Sequence, residues 1–201
     1  DARGRSNQPT VILDSTGRAY TLASHNLPSA RGQGEPVTGR INPPSGATFE
    51  GLLLADEQQR FLLASDAGYG FVAVYSDLQT KNRAGKGVLS LPKGGRVLQP
   101  SPVPAENAGA WVAALSNEGR LLVFPLADLP QLARGKGNKL QCYSGKFKLR
   151  DLMTFDKRDG LIVMTGGRHR AFPEWEEWIG KRSQAGKAVP KGFPRGGTFS
   201  G

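Results

Sequence analysis

Val11-Ile12-Leu13-Asp14-Ser15-Thr16-Gly17-Arg18-Ala19-Tyr20-Thr21-Leu22 holds two short apolar runs around a polar turn that contains a glycine. Such a pattern predicts a β-hairpin, because the runs are strand-length and the glycine supplies a backbone shape that other residues resist. The pattern returns three times. Ser65-Asp66-Ala67-Gly68 joins Phe61-Leu62-Leu63 to Phe71-Val72-Ala73-Val74-Tyr75. Ser116-Asn117-Glu118-Gly119-Arg120 joins Trp111-Val112-Ala113-Ala114-Leu115 to Leu121-Leu122-Val123-Phe124. Thr165-Gly166-Gly167-Arg168 joins Leu161-Ile162-Val163-Met164 to Ala171-Phe172. Gly17, Gly68 and Gly119 recur at intervals of 51 residues, and Gly167 follows 48 later.

The segment after each hairpin also repeats. A leucine behind Asn or Asp stands ten residues after the first three glycines (Leu27, Leu78 and Leu129), and Trp178 stands eleven after Gly167. Next comes a basic glycine loop: Arg31-Gly32-Gln33-Gly34, then Arg83-Ala84-Gly85-Lys86-Gly87, then Arg134-Gly135-Lys136-Gly137. Lys181-Arg182-Ser183-Gln184-Ala185-Gly186-Lys187 is a worn fourth copy. One or two strands close the repeat, as at Gly51-Leu52-Leu53-Leu54-Ala55. A repeat of about 50 residues with about four strands is the size of one blade of a propeller-like ring. One blade cannot bury both of its faces alone, so neighbours must stack. The expectation is an all-β single domain over residues 1–201, with blades near 10–57, 60–106, 110–157 and 160–201. Helix is expected only as short turns, for example at Pro173-Glu174-Trp175-Glu176-Glu177-Trp178.

Composition agrees with this fold and narrows the function. The 27 glycines and 14 prolines among 201 residues favour short strands and turns over long helices. No apolar run approaches the roughly 20 residues of a membrane helix, and Asp1-Ala2-Arg3-Gly4-Arg5 leads into no signal-peptide core. The absence of an initiator methionine suggests part of a longer chain. A single cysteine, Cys142, excludes an internal disulfide framework and suits the cytosol. The net charge of +10 is lopsided: residues 134–201 hold 15 Lys and Arg against 6 Asp and Glu. From Leu78 to Ala105 there is no acidic residue, while Lys81, Arg83, Lys86, Lys93 and Arg96 fall there. Such a surface attracts polyanions, nucleic acid or an anionic membrane among them.

The glycine loops carry a family resemblance. They resemble the basic Arg-Gly-Gly-Lys-Gly box in the C-terminal domains of the A subunits of bacterial gyrase and topoisomerase IV. Asp14-Ser15-Thr16-Gly17-Arg18, Leu27-Pro28-Ser29-Ala30-Arg31-Gly32-Gln33-Gly34-Glu35-Pro36, Ala64-Ser65-Asp66-Ala67-Gly68-Tyr69-Gly70, Asn82-Arg83-Ala84-Gly85-Lys86 and Leu129-Pro130-Gln131-Leu132 look closer to the topoisomerase IV branch. The resemblance covers nearly the whole chain. It implies a β-pinwheel, a ring whose blades exchange strands, and an earlier blade and catalytic domains outside this chain. It further implies a DNA-binding and DNA-bending role around the outer rim. The parent would be an ATP-dependent type IIA topoisomerase of the bacterial cytoplasm and nucleoid. It would decatenate chromosomes and relax supercoils with two partners, a B subunit plus a second A subunit. ATP and Mg²⁺ would act in other parts of that enzyme, so no cofactor is expected here. Ala84 stands for a glycine of the box and Gln33 for its lysine. That departure favours capture and bending of DNA over strong chiral wrapping.

Read on their own, glycine loops let backbone N–H groups approach a phosphate, and neighbouring Arg and Lys add charge and forked hydrogen bonds. Copies at equivalent places on successive blades would form a basic stripe. The expected phosphate contacts are Arg31, Lys81, Arg83, Lys86, Arg134, Lys136, Lys139, Lys181, Arg182 and Lys187. The competing structural reading is that these glycines make turns and the cations are solvated. The competing functional one is a scaffold docking an acidic partner such as a condensin. Catalytic candidates fall away. Arg18-Ala19-Tyr20-Thr21 superficially resembles the Arg-Tyr-Thr around the family's DNA-cleaving tyrosine, but Tyr20 stands on the second strand of a repeated hairpin. Gly145-Lys146, Gly180-Lys181 and Gly186-Lys187 lack the spacing of a P-loop. Nothing orients Cys142 toward His25 or His169, and Cys142 is expected as a packed strand residue. Two histidines and one cysteine make no zinc site, and no Asp-x-Asp cluster offers magnesium a site. Trp111 is expected in the core, with Trp175 and Trp178 as an inter-blade or end cap.

Overall fold

The structure, a computed structural model, describes residues 9–23, 43–104, 109–194 and 197–199. Four hairpins form where the repeat predicts them. They are β1 (Pro9–Asp14) with β2 (Arg18–Ala23), β4 (Arg60–Ala64) with β5 (Tyr69–Val74), β8 (Ala110–Ser116) with β9 (Arg120–Pro125), and β12 (Leu161–Thr165) with β13 (Arg168–Phe172). In the first three the glycine N–H donates to the carbonyl three residues back: Gly17 to Asp14 at 3.1 Å, Gly68 to Ser65 at 3.0 Å and Gly119 to Ser116 at 3.1 Å. These glycines sit at φ +86°, +94° and +73°, left-handed values that a side chain resists. The fourth hairpin turns differently. Thr165 faces Arg168 directly across Gly166 and Gly167, at φ +57° and +81°, a two-residue turn.

Three four-stranded antiparallel sheets are built on the first three hairpins. Each has a strand of its own repeat on one side of the hairpin: β3 (Phe49–Leu53), β7 (Ser101–Pro102) or β11 (Leu149–Asp156). Each receives its fourth strand from the basic loop of the next repeat. β6 (Lys86–Gly87) pairs with β2, β10 (Asn138–Lys139) with β5, and β14 (Lys187–Ala188) with β9. The exchange expected of a pinwheel is thus carried by two-residue strands at the end of each glycine loop or directly after it. Among the described residues the fourth repeat keeps only the β12–β13 pair as a sheet of its own, its β14 having joined β9. Beside it Phe199 is held by its backbone: its carbonyl accepts from Met164 N–H at 2.9 Å, and its N–H donates to the Asp151 carboxylate at 2.9 Å.

Successive side chains of a strand point to opposite faces, so each sheet can pack on two neighbours. Val11, Leu13, Ala19 and Leu53 of the first sheet meet Phe61, Leu63, Phe71 and Ala73 of the second. The alternate residues Leu62, Ala64 and Val72 meet Val112, Ala114, Leu122 and Phe124 of the third. On its far face, Ala113, Leu115, Leu121 and Val123 join Leu161, Val163 and Phe172 of the last hairpin. Trp175, in the short 3-10 turn Pro173–Trp178, closes this end. It is buried, with its ring 5.3 Å from Trp111 and 5.0 Å from Phe155. Trp111 is half-buried at that seam. Tyr75, in the one-turn helix Tyr75–Leu78 of the second repeat, reaches back to the first sheet. Its hydroxyl lies 2.5 Å from the Pro9 carbonyl and 2.9 Å from that of Leu53, and accepts from Val11 N–H at 3.2 Å.

Candidate nucleic-acid interface

The basic loops lie along one edge of the three sheets, and their register is set by backbone pairing. Lys86, Asn138 and Lys187 stand opposite Ala19, Gly70 and Leu121, each two residues past a hairpin glycine. That pairing makes Gly85, Gly137 and Gly186 equivalent, and all three have φ +81°. A Cβ on Gly85 would lie 2.6 Å from the Tyr20 ring, and on Gly137 1.9 Å from the Gly70 carbonyl oxygen. The glycines are therefore required by the strand exchange itself, whatever ligand the loops take. Arg134 falls level with Asn82 rather than with Arg83, so the copies coincide in backbone but not in every cation.

The exchanged strand is clamped the same way each time. The carbonyl of the hairpin glycine accepts a backbone N–H just beyond the donated strand: Val88 to Gly17 at 3.0 Å, Leu140 to Gly68 at 2.6 Å and Val189 to Gly119 at 3.0 Å. The loops are also tied to one another. Gly135 donates to Val88 O and accepts from Ser90 N, both at 2.9 Å. One repeat later Ser183 donates to Leu140 O at 2.9 Å, and Cys142 to Gln184 O at 3.2 Å. Consecutive basic loops thus form one linked series.

Nine of the ten expected phosphate contacts fall on these loops or within two residues of them; Arg31 lies outside the described residues. Lys81, Arg83, Arg134, Lys136, Lys181 and Lys187 are exposed, whereas Lys86, Lys139 and Arg182 are half-buried. Several also hold the protein together. Lys86 Nζ donates to the Asp77 carbonyl, and Lys187 Nζ to that of Glu177 at 2.6 Å. Arg182 Nη1 donates to Lys139 O at 2.7 Å, linking the fourth loop to the third. Lys181 and Arg182 share a groove with Asp128, which lowers the local positive potential. Lys136 and Lys139 place their ammonium groups 4.7 and 5.8 Å from the centre of the Tyr69 ring.

Three residues that sequence reasoning passed over position the loops. Arg18, Tyr69 and Arg120 each follow a hairpin glycine. Arg18 donates from Nε to Ala84 O at 2.9 Å and from Nη2 to Gly85 O at 2.8 Å. Arg120 donates from Nη1 to Gly186 O at 3.1 Å. Tyr69 meets the lysines of the intervening loop through its π-face instead. The signal lay in the shared offset from the repeat glycine.

The residues weighed for catalysis have structural work. Tyr20 is buried on β2, and its hydroxyl donates to Asp14 Oδ2 at 2.6 Å. Burial, and next the Asp14 hydrogen bond, push its phenol above the usual range, the reverse of what a nucleophile needs. Asp14 in turn accepts from the N–H groups of Thr16 and Arg18 and so closes the turn. Cys142 corrects an expectation: it lies outside the strands and is half-buried, its Sγ 3.8 Å from the Tyr143 carbonyl. Among the described residues no three His, Cys, Asp or Glu side chains are grouped to hold a metal ion, and no helix is long and apolar enough to cross a membrane.

Strand-exchanging blades with a basic loop at each exchange define a propeller-type domain, and a family model described as "DNA gyrase C-terminal domain, beta-propeller" matches residues 59–104 and 110–162. Within that class the relatives point to topoisomerase IV. The solved structure of the E. coli ParC C-terminal domain superposes with a TM-score of 0.80 at 39% identity, over 94% of this chain and 79% of that one. The A subunit of DNA topoisomerase 4 from Pseudomonas aeruginosa is 48% identical over 96% of this chain and 27% of its own length. That of Haemophilus influenzae is 52% identical over 96% of this chain and 26% of its own length. The chain therefore belongs to the family of C-terminal domains found in the A subunits of gyrase and topoisomerase IV. It spans about a quarter of the length of these curated relatives.

Proposed function

We propose that this chain is the non-catalytic DNA-binding and DNA-bending domain of the A subunit of a topoisomerase IV. The linked loops hold duplex DNA along the outer rim of the pinwheel through phosphate contacts, with no reading of bases. The observation that carries this is the repetition of the basic loop at the same station of three successive sheets. A stripe of that kind meets a curved duplex at regular intervals. Bending a site of 20–30 base pairs costs on the order of 1–6 kcal/mol, which several phosphate contacts together can offset. In the parent enzyme the domain would present the captured segment for strand passage, decatenation and supercoil relaxation. The B subunit, a second A subunit, ATP and Mg²⁺ would act elsewhere in that assembly, in the bacterial cytoplasm at the nucleoid.

Fluorescence anisotropy with mixed-sequence linear duplex, from low to moderate salt, tests the reading. The expected result is binding that weakens steeply with salt, as release of counterions from several phosphates requires. Replacing Arg83 and Lys86 by alanine should lower both the affinity and the salt slope. Binding that is absent or indifferent to salt would sink the proposal and leave the loops to packing or to an acidic protein.

A further inference from the structure

A groove of about 780 Å³ opens beside the first hairpin turn, and its walls come from three repeats. Thr16 and Arg18 belong to the first hairpin, Gly87 and Ser90 to the second repeat, and Arg134 to the third basic loop. Among the described residues the lining contains two arginines and no carboxylate. Arg18 is already fixed by the Ala84 and Gly85 carbonyls through Nε and Nη2. Its Nη1 lies beside Gly87, 3.9 Å from where a Cβ on that glycine would sit, and both residues line the groove. A guanidinium held in place gives up little freedom when it takes a ligand.

The other two sheets show what is particular to this one. Gly87 stands opposite Arg18, Lys139 opposite Tyr69, and Ala188 opposite Arg120. Of the three pairs, only the first sets an arginine against a bare backbone; Ala188 adds a methyl, and Lys139 a long cation. Strand geometry alone does not require that glycine, because Gly87 is not among the glycines of positive φ.

We propose that this groove seats one backbone phosphate of duplex DNA between Arg18 and Arg134. The inference rests on the DNA-binding reading above and makes the seat a composite of three repeats. An arginine on either side offers forked hydrogen bonds to the phosphodiester oxygens, and the bare Gly87 backbone leaves room for the strand to approach.

The test is salt-dependent anisotropy of this chain with labelled mixed-sequence duplex, using Gly87→Val. The substitution changes no charge, suits a strand and puts a side chain on the groove lining beside Arg18. Affinity should fall several-fold at low salt, and the slope of log affinity against log salt should shrink by about one, the loss of one phosphate contact. Ala188→Val, at the matching place of the third sheet, should leave both unchanged. Arg134→Gln, on an exposed side chain, should give the same drop in slope, and the double variant with Gly87→Val no further drop. A folded Gly87→Val with the original slope would overturn the proposal. If that variant fails to fold, an unchanged slope in Arg134→Gln would do so. Saturation of the groove by inorganic phosphate alone, seen as amide shifts at Gly87 and Gly135, would assign it to a free anion and also overturn it. Failure of the unmodified chain to bind duplex would instead bring down the DNA-binding reading itself.

Discussion

Arg18 donates from Nη2 to the carbonyl oxygen of Gly85 at 2.8 Å, from one sheet to the basic loop of the next repeat. With the Nε bond to Ala84 O, one guanidinium holds two consecutive carbonyls of that loop. Arg18→Leu should therefore cost about 1.5–3 kcal/mol, the range for hydrogen bonds made by a charged group. Hydrogen exchange at the amides of residues 85–87 should quicken more than at β4 and β5. Arg18→Lys should recover little of the loss, because an ammonium cannot reproduce the planar fork. Denaturant unfolding and amide exchange measure both.

Gly17 and Gly119 hold the same place in their hairpins, but they should respond differently to alanine. Both have left-handed φ, so each substitution carries about 1–2 kcal/mol of backbone strain. At Gly119 no described residue lies within 4 Å of the added Cβ, and the cost should stop there. At Gly17 the Cβ would fall 1.9 Å from the Leu89 carbonyl oxygen, on the segment that clamps the exchanged strand. Gly17→Ala should displace that strand and lose more than ~3 kcal/mol, a size reserved for severe clashes and cavities. Equal midpoints for the two variants in denaturant would contradict the exchange geometry.

How far such features can be read in advance depends on how local they are. The four hairpins were legible because turn and strands lie within 12 to 16 residues, and the stacking of the sheets because one blade cannot bury both of its faces alone. The basic loops were legible as loops. Their service as strands was not, because Lys86–Gly87 is only two residues long and its partner lies in the preceding repeat. Knowledge of the family implied strand exchange, but not which residues perform it. Arg18 and Arg120 were missed because an arginine after a turn glycine looks like a solvated charge until a carbonyl arrives from elsewhere in the chain. Cys142 was misplaced because Leu140-Gln141-Cys142-Tyr143 reads as strand, whereas its backbone is bonded to the fourth loop.

Tyr75 couples the first two sheets through its hydroxyl, and burial pushes its phenol up from 10.0 to about 12. A raised folded-state pKa means the folded chain holds its proton where the unfolded chain has released it. The stabilisation is complete below pH 10 and is lost as pH rises toward 12. Tyr75→Phe should be less stable at neutral pH by about 1–2 kcal/mol, having left buried partners unmet. It should also lose less stability than the parent between pH 10 and 12. Part of the alkaline loss should persist in the variant, because Tyr20 is raised as well. Unfolding midpoints across this alkaline range check the sign.

Among Arg18, Tyr69 and Arg120, Tyr69 holds its loop through a ring, and this separates its contribution from hydrogen bonding. Lys136 and Lys139 both face it. Tyr69→Phe keeps the π-face and should leave DNA affinity within error of the parent. Tyr69→Leu removes the face while keeping bulk against the loop. An exposed cation–π contact is worth about 0.5–1 kcal/mol, so the freed lysines should weaken duplex binding by about two- to five-fold with little change in unfolding midpoint. The salt slope should stay the same, since no charge is lost and the lysines still reach phosphate once they are ordered. Equal losses for Phe and Leu would point to the hydroxyl; no loss in either would show that Tyr69 does not orient the third loop for DNA.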